Sequence, residues 1–383
     1  MEAIRRNCPL CTRPELIESL AEAWWLDPEV VRYLSQQNPD WRLDDGACPA
    51  CLQEALLHVL LSQGDAMLHQ QIQHLWPLDA RAAFGAIPTP LRMHADPRFT
   101  GRGVTLAIVD EGFYPHADLV QPSNRIRVWV DATADPVKAS YFDRQTLPTW
   151  PEWDTVHNRQ WHGTMTSAVA AGRGRMSHGP YRGIASEADL VLIQVENNTQ
   201  NITDQAIVRA LMWIADNSRK LNIRVVNLSI GAVETDPVKE HPVNQAVHRL
   251  VTQGVVVVAA AGNDGVRELI PPASAIEAIT VGGLDDHSLF SHHARTLWHS
   301  NYGVTQDGAV KPELVAPSIW VAAPVLPGSQ VERESVSLFK QRHRGDNAEH
   351  VEERIRQLKM ITPHYQHVNG TSFAAPIVTG VVA

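Results

Sequence analysis

From residue 101 onward, short runs rich in valine and isoleucine alternate with longer stretches whose apolar residues recur every three or four positions. The runs at 103–109, 190–195, 225–229, 255–260 and 278–281 predict strands, and the stretches at 163–172, 204–220 and 242–252 predict helices. Strands separated by helices bury both faces of a sheet, which predicts an α/β fold: a doubly wound, mostly parallel sheet with helices on either side. The most apolar run, 254–262, is valine-rich and bounded by glycines, so it reads as a buried strand. No stretch approaches the roughly 18 uninterrupted apolar residues of a membrane span.

The first 95 residues follow another pattern. Apolar residues fall at helical spacing over 14–25 and 52–61, and the two prolines of 85–91 break the pattern as a linker would. A chain of 383 residues accommodates one large core and one small one, so a division into 1–95 and 96–383 is expected. Two segments look inserted into the larger unit. One covers about 134–160, near Trp150, Trp153 and Trp161; the other covers about 327–367 and includes a highly charged helical stretch from Asp346 that reads as a solvated surface helix.

Charge and cysteine usage narrow the function classes. A net charge of -9 with 20% charged residues offers nothing to a polyanion, so nucleic acid is not the expected ligand. The N-terminus has no apolar stretch behind its arginines, and a cytoplasmic location is expected. All four cysteines lie in two pairs, Cys8-Pro-Leu-Cys11 and Cys48-Pro-Ala-Cys51, with none in the following 332 residues, which suits a reducing compartment. Two chelating turns supply four thiolates, enough to close a tetrahedral structural zinc site with no position left for chemistry. Two redox pairs or unrelated buried cysteines are the competing readings.

Four polar residues stand where strands end or helices begin. Asp110 ends an apolar strand, in Val109-Asp110-Glu111-Gly112; His162 opens a helix of small residues, in Trp161-His162-Gly163-Thr164. Asn263 follows a central strand, in Gly262-Asn263-Asp264-Gly265, and Ser372 opens a second apolar helix, in Gly370-Thr371-Ser372. Taken singly, each has a plain alternative: a structural aspartate, a structural histidine, a turn asparagine, a helix cap. Taken together, they fall on the carboxyl-end rim of a parallel sheet, where such folds place their sites. A histidine at a helix N-terminus is also biased toward the neutral form that a general base needs.

The segments around these residues resemble the subtilases, in that family's order of aspartate, histidine and serine. The resemblance rests on Gly-Thr-Ser-x-Ala-x-Pro at 370–376, His-Gly-Thr at 162–164 and Ala-Ala-Gly-Asn-x-Gly at 260–265, with further matches at 101–104, 116–119, 183–190 and 311–317. It covers about 101–383 and implies a serine endopeptidase: Ser372 as nucleophile, His162 as base, Asp110 orienting it, and Asn263 with the Ser372 N–H binding the oxyanion. It also implies that Ser229, Ile230 and Gly231 form the edge that pairs with a peptide, and that Ala260, Ala261 and Gly262 wall the primary specificity pocket, with Asp264 near its rim. No metal is implied for catalysis. Met165 and Glu111 depart from the family pattern, which usually has histidine and a hydroxyl residue there. The family also continues its last helix, so the sequence is expected to extend past Ala383.

The N-terminal module occupies the place of a pro-region without resembling one. An intracellular protease whose zinc module controls access or delivers substrates is therefore expected, acting on protein or peptide substrates and not at a membrane, with the module open to a regulatory partner. The reading from another class is a catalytically silent binding protein on the same scaffold.

Overall fold

The computed structural model describes residues 5–16, 28–48, 51, 55, 59, 86–93, 95–96, 98–146, 160–232, 240–286, 295–345 and 348–383. In the N-terminal region a short antiparallel pair, β1 (Arg5–Asn7) and β2 (Pro14–Leu16), precedes helix α1 (Pro28–Gln37). The helix expected over 14–25 therefore begins as a strand, because a tight turn closed by the Thr12 N–H on the Cys8 carbonyl and the Cys8 N–H on the Arg13 carbonyl folds 14–16 back on 5–7; residues 17–27 lie outside the described set. Of the helix expected over 52–61, the described Ala55 and Val59 are helical. The expected linker instead forms a helical turn, α2 (Thr89–Arg92), in which Thr89 and Arg92 are buried.

The larger unit begins with β3 (Thr105–Asp110), the turn of helix α3 (Ala117–Val120), β4 (Ile126–Asp131) and β5 (Lys138–Tyr141). Helix α4 (Trp161–Ala171), β6 (Asp189–Gln194), helix α5 (Asp204–Leu221), β7 (Ile223–Leu228), helix α6 (Pro242–Thr252) and β8 (Val256–Ala260) follow. Next come β9 (Ile279–Asp285), β10 (Thr296–Leu297), the small hairpin β11 (Gly303–Val304) and β12 (Val310–Lys311), β13 (Leu314–Pro317) and β14 (Val321–Pro324). Helices α7 (Gln330–Arg344) and α8 (Ala348–Gln357), strands β15 (Met360–Thr362) and β16 (Tyr365–Val368), and helix α9 (Thr371–Val382) complete the chain.

The main sheet has the order β10-β9-β8-β7-β3-β6-β4-β5, with β13 also pairing with β9. Its pairs from β9 to β4 are parallel, as is β13 with β9; β10 and β5 are antiparallel. Every residue of β3 is buried, and its side chains alternate between two cores. Ala107 and Val109 join the layer under α5 and α6, while Leu106 and Ile108 join the layer that includes residues of α4 and α9. This is the doubly wound sheet that the apolar pattern predicts. Among the described residues no helix is long and apolar enough to cross a membrane.

The second expected insertion is a folded arm. Strands β14, β16 and β15 make a separate antiparallel sheet, and α7 and α8 close over it. The arm has its own core of Val325, Leu338, Phe339, Val351, Ile355 and Met360, so α8, the described part of the charged stretch, is amphipathic with Val351 and Ile355 buried and is not a free surface helix. The Tyr365 hydroxyl donates to buried Asp118 and ties the arm to α3. Met165 lies buried beneath the arm, where Gln366 Nε2 reaches its sulfur, and an apolar residue in place of the family's histidine suits that cover.

Small residues let α4 approach the sheet. A Cβ at Gly163 would lie 2.2 Å from the Gly112 carbonyl oxygen and 2.8 Å from the Phe113 ring, so the backbone would have to move. Gly163→Ala is expected to cost about 3 kcal/mol and to lower the melting temperature by several degrees in a thermal unfolding scan.

Candidate active site

Asp110 ends β3 with its carboxylate wholly buried. Three donors satisfy it. His162 Nδ1 lies 2.6 Å from Oδ1, the Glu111 N–H donates to Oδ1 at 2.8 Å, and the Thr166 hydroxyl donates to Oδ2 at 2.8 Å. Thr166 is four residues after His162 on α4 and so shares its face. The sequence reading missed it, although a hydroxyl one turn after a candidate base was the available signal.

His162 is 9% exposed. Burial disfavours its charge, but the Asp110 carboxylate in contact with it, aided by Glu111, outweighs that effect and raises its pKa to about 9. The helix N-terminus favours the neutral ring with only about half a charge, whereas the Asp110 carboxylate is a whole charge with an oxygen 2.6 Å from Nδ1. Burial pushes the Glu111 carboxyl up to about 6, with Asp110 and Glu196 acting in the same direction and His162 against it.

Ser372 opens α9 from Gly370, whose φ of +128° is a backbone conformation that favours glycine. Ser372 is half-buried while its neighbours Thr371 and Phe373 are buried, and the Phe373 ring lies 5.6 Å from the His162 ring, so the two helix starts converge. The Ser372 carbonyl accepts from Ser229 Oγ at 2.9 Å, and Ser229 Oγ accepts from Asn227 Nδ2 at 2.9 Å. Asn227 in turn accepts from Thr379 on α9, which fastens that helix to the end of β7.

Exposed Asn263 is oriented by the same turn. Its Oδ1 accepts from both the N–H and the hydroxyl of Thr371, each at 2.9 Å. Because a backbone N–H can only donate, the amide cannot be flipped, and its Nδ2 is left as the outward donor. His299 Nδ1 lies 2.9 Å from the Asn263 carbonyl and closes the other side of the turn. Ser229, Ile230 and Gly231 continue from β7, and Ala261 and Gly262 from Ala260 at the end of β8, so the two expected substrate walls leave adjacent strands. Gly231 is exposed and Ile230 half-buried, whereas Ala261 is buried.

The four cysteines also converge. Their sulfurs all lie within 4.8 Å of one another, with Cys8 and Cys51 4.0 Å apart and Cys11 and Cys48 3.7 Å apart. A tetrahedron of ~2.3 Å zinc–sulfur bonds has edges of about 3.8 Å, so the donor set fits zinc. The Cys48 N–H reaches Cys8 Sγ at 3.3 Å, and Thr12 N–H closes a turn onto the Cys8 carbonyl. Burial opposes the thiolate at Cys11, but the Arg13 backbone and neighbouring groups outweigh it and lower the pKa to about 6; burial raises Cys48 and Cys51.

The protein-family model described as the subtilase family matches residues 101–383. The chain is 29% identical over 292 residues to serine protease AprX of Bacillus subtilis (strain 168), a match covering 74% of this chain and 57% of that protein. It is 28% identical to alkaline elastase YaB of Bacillus sp. (strain YaB), covering 74% of this chain and 54% of that one. The chain thus spans about half the length of these curated relatives. Among solved structures, the S41 psychrophilic protease superposes with a TM-score of 0.54 at 21% identity, over 77% of this chain and 82% of that one; sphericase superposes at 0.52 over the same shares. These structures share the fold. With the family model covering residues 101–383, well over half of the chain, this chain belongs to the subtilase family.

Proposed function

We propose that the chain is a serine endopeptidase that uses Asp110, His162 and Ser372, with Asn263 and the Ser372 N–H as oxyanion donors. The observation that carries the reading is the 2.6 Å contact of His162 Nδ1 with buried Asp110, which commits that nitrogen and leaves Nε2 for proton exchange. Ser372 Oγ bonds to the peptide carbonyl carbon as its proton passes to His162 Nε2. The carbonyl oxygen becomes the oxyanion between Asn263 Nδ2 and the helix N-terminus. Collapse breaks the C–N bond, the amine leaves with the proton from His162, and water then repeats the sequence on the acyl-enzyme. Ser229, Ile230 and Gly231 would pair with the substrate backbone as an added strand, and Ala260, Ala261 and Gly262 would wall the pocket beside it.

The four cysteines would hold a structural zinc that shapes the N-terminal module and takes no part in hydrolysis. We further read the module as a regulatory element of an intracellular enzyme. Support comes from the cysteine pairs, which suit a reducing compartment, and from the burial of residues 86–90 and of Arg92 in the adjoining segment.

Three outcomes are expected. A fluorophosphonate probe labels Ser372 in the wild type and fails on Ser372→Ala, while Asn263→Ala lowers kcat by about 10²- to 10³-fold, the range found for such a donor in a subtilisin. A binding protein without activity would leave the wild type unlabelled.

The second outcome concerns pH. His162 accepts a proton only when neutral, and its pKa is raised to about 9, so kcat/KM climbs as pH rises through that value. A profile already flat above pH ~7.5 would contradict the cause assigned here. Asp110→Asn removes the charge that raises the pKa and lowers kcat by about 10⁴-fold.

Third, elemental analysis of the purified chain returns one zinc per molecule, and Cys48→Ser loses it along with part of the thermal stability. Absence of zinc from protein prepared in zinc-containing medium would remove the metal from this account.

A further inference from the structure

Arg92 belongs to the segment that joins the N-terminal module to the catalytic unit, yet its side chain is 1% exposed. Its guanidinium is fully engaged. Nε donates to Asp286 Oδ2 at 2.7 Å and one terminal nitrogen donates to Asp286 Oδ1, making a two-pronged pair. The same terminal nitrogen reaches the Ile319 carbonyl at 2.8 Å, and the other reaches the Trp320 carbonyl at 3.0 Å. Only the planar fork of arginine serves a carboxylate and two carbonyls at once.

What these bonds hold is unusual. Trp320 has φ +64°, a left-handed conformation that a bulky residue adopts only when its surroundings impose it. Its ring packs edge-on against buried His367, 5.4 Å away. Just before it, Ser318 is anchored by its own N–H to the Leu284 carbonyl at 3.0 Å, and its carbonyl accepts from the Gly370 N–H at 2.7 Å. Gly370 starts the turn that presents Ser372. The path from the N-terminal segment to the nucleophile is therefore short: Arg92, the 319–320 carbonyls, Ser318, Gly370, Ser372.

We propose that Arg92 is a positioning residue for Ser372, so that seating of the N-terminal segment on the catalytic unit sets the geometry of the nucleophile turn. The proposal rests on Ser372 being the nucleophile.

The test must separate position from stability. Arg92→Met takes the arginine's charge from beside buried Asp286, so its loss of stability decides nothing about geometry. The double variant Arg92→Met/Asp286→Leu removes both charges and is expected to regain much of the melting temperature that Arg92→Met loses, while the Ile319 and Trp320 carbonyls lose the bonds from Arg92. In that variant the fluorophosphonate labelling rate and kcat fall roughly 10- to 100-fold, as expected for a displaced nucleophile, and KM stays within about twofold. Labelling and kcat within about twofold of wild type in the double variant would overturn the proposal. If the double variant does not fold, Arg92→Lys decides by the same two outcomes, because lysine keeps the charge opposite Asp286 but cannot span both carbonyls. A wild type that does not label would sink the serine-protease reading and this proposal together. A wild type that labels beside unaffected variants removes the role of Arg92 alone.

Discussion

The rest of the site depends on one buried carboxylate. Asp110 ends the central strand with no exposure, and a charge there is tolerable only if its oxygens are hydrogen-bonded. Its own turn supplies one donor, and α4 supplies the other two through His162 and Thr166. Burying Asp110 therefore fixes α4 along the sheet, and the position of α4 fixes the imidazole. Gly163 is the corollary: the helix reaches the carboxylate only because nothing projects between it and Gly112. Function and packing share these contacts.

The Ser372 side of the site is held by a different principle. There the bonds are between neutral groups and run in chains: Asn227 to Ser229 to the Ser372 carbonyl, and Thr371 to Asn263. Each link orients the next, so the amide of Asn263 has one permitted orientation and the start of α9 one permitted position. A charged anchor on one side and a relay of hydroxyls and amides on the other bring two helix N-termini to the same rim of the sheet. That is where the strand order reverses direction, with β6 and β4 on one side of β3 and β7 and β8 on the other.

Much of this was legible in the sequence because strand ends and helix starts leave local signals. The apolar runs give the sheet, and Asp110, His162, Asn263 and Ser372 stand at its boundaries whichever way their roles are read. What was not legible depends on distance in space. Nothing local marks Arg92 as buried; its partners Asp286, Ile319 and Trp320 lie about two hundred residues away in sequence, and two nearby prolines read as a linker. The pairing of Asp110 with His162 was legible through the family resemblance, but the 2.6 Å contact that sets the charge preference of the imidazole is a matter of distance in space. The strand at Pro14–Leu16 was missed because a cysteine turn, not residue periodicity, sets its direction.

The arm between β13 and α9 shows how a long insertion can sit beside a catalytic turn without loosening it. Its entry and exit are joined directly: Ser318 accepts from Gly370, and Val321 pairs with Val368. Once the two ends are fixed to each other, the length of chain between them costs the nucleophile turn little, because closure entropy grows only slowly with loop length. The arm then needs stability of its own, which its apolar cluster and the Arg354–Glu334 and Arg342–Glu352 pairs help to provide. The tie between Tyr365 and Asp118 adds a second attachment on the α3 side, away from Ser372. An element so closed at its base can change in sequence and charge across its outer face while the geometry at Gly370 stays constant, which leaves that face open to variation that the catalytic turn itself cannot accept.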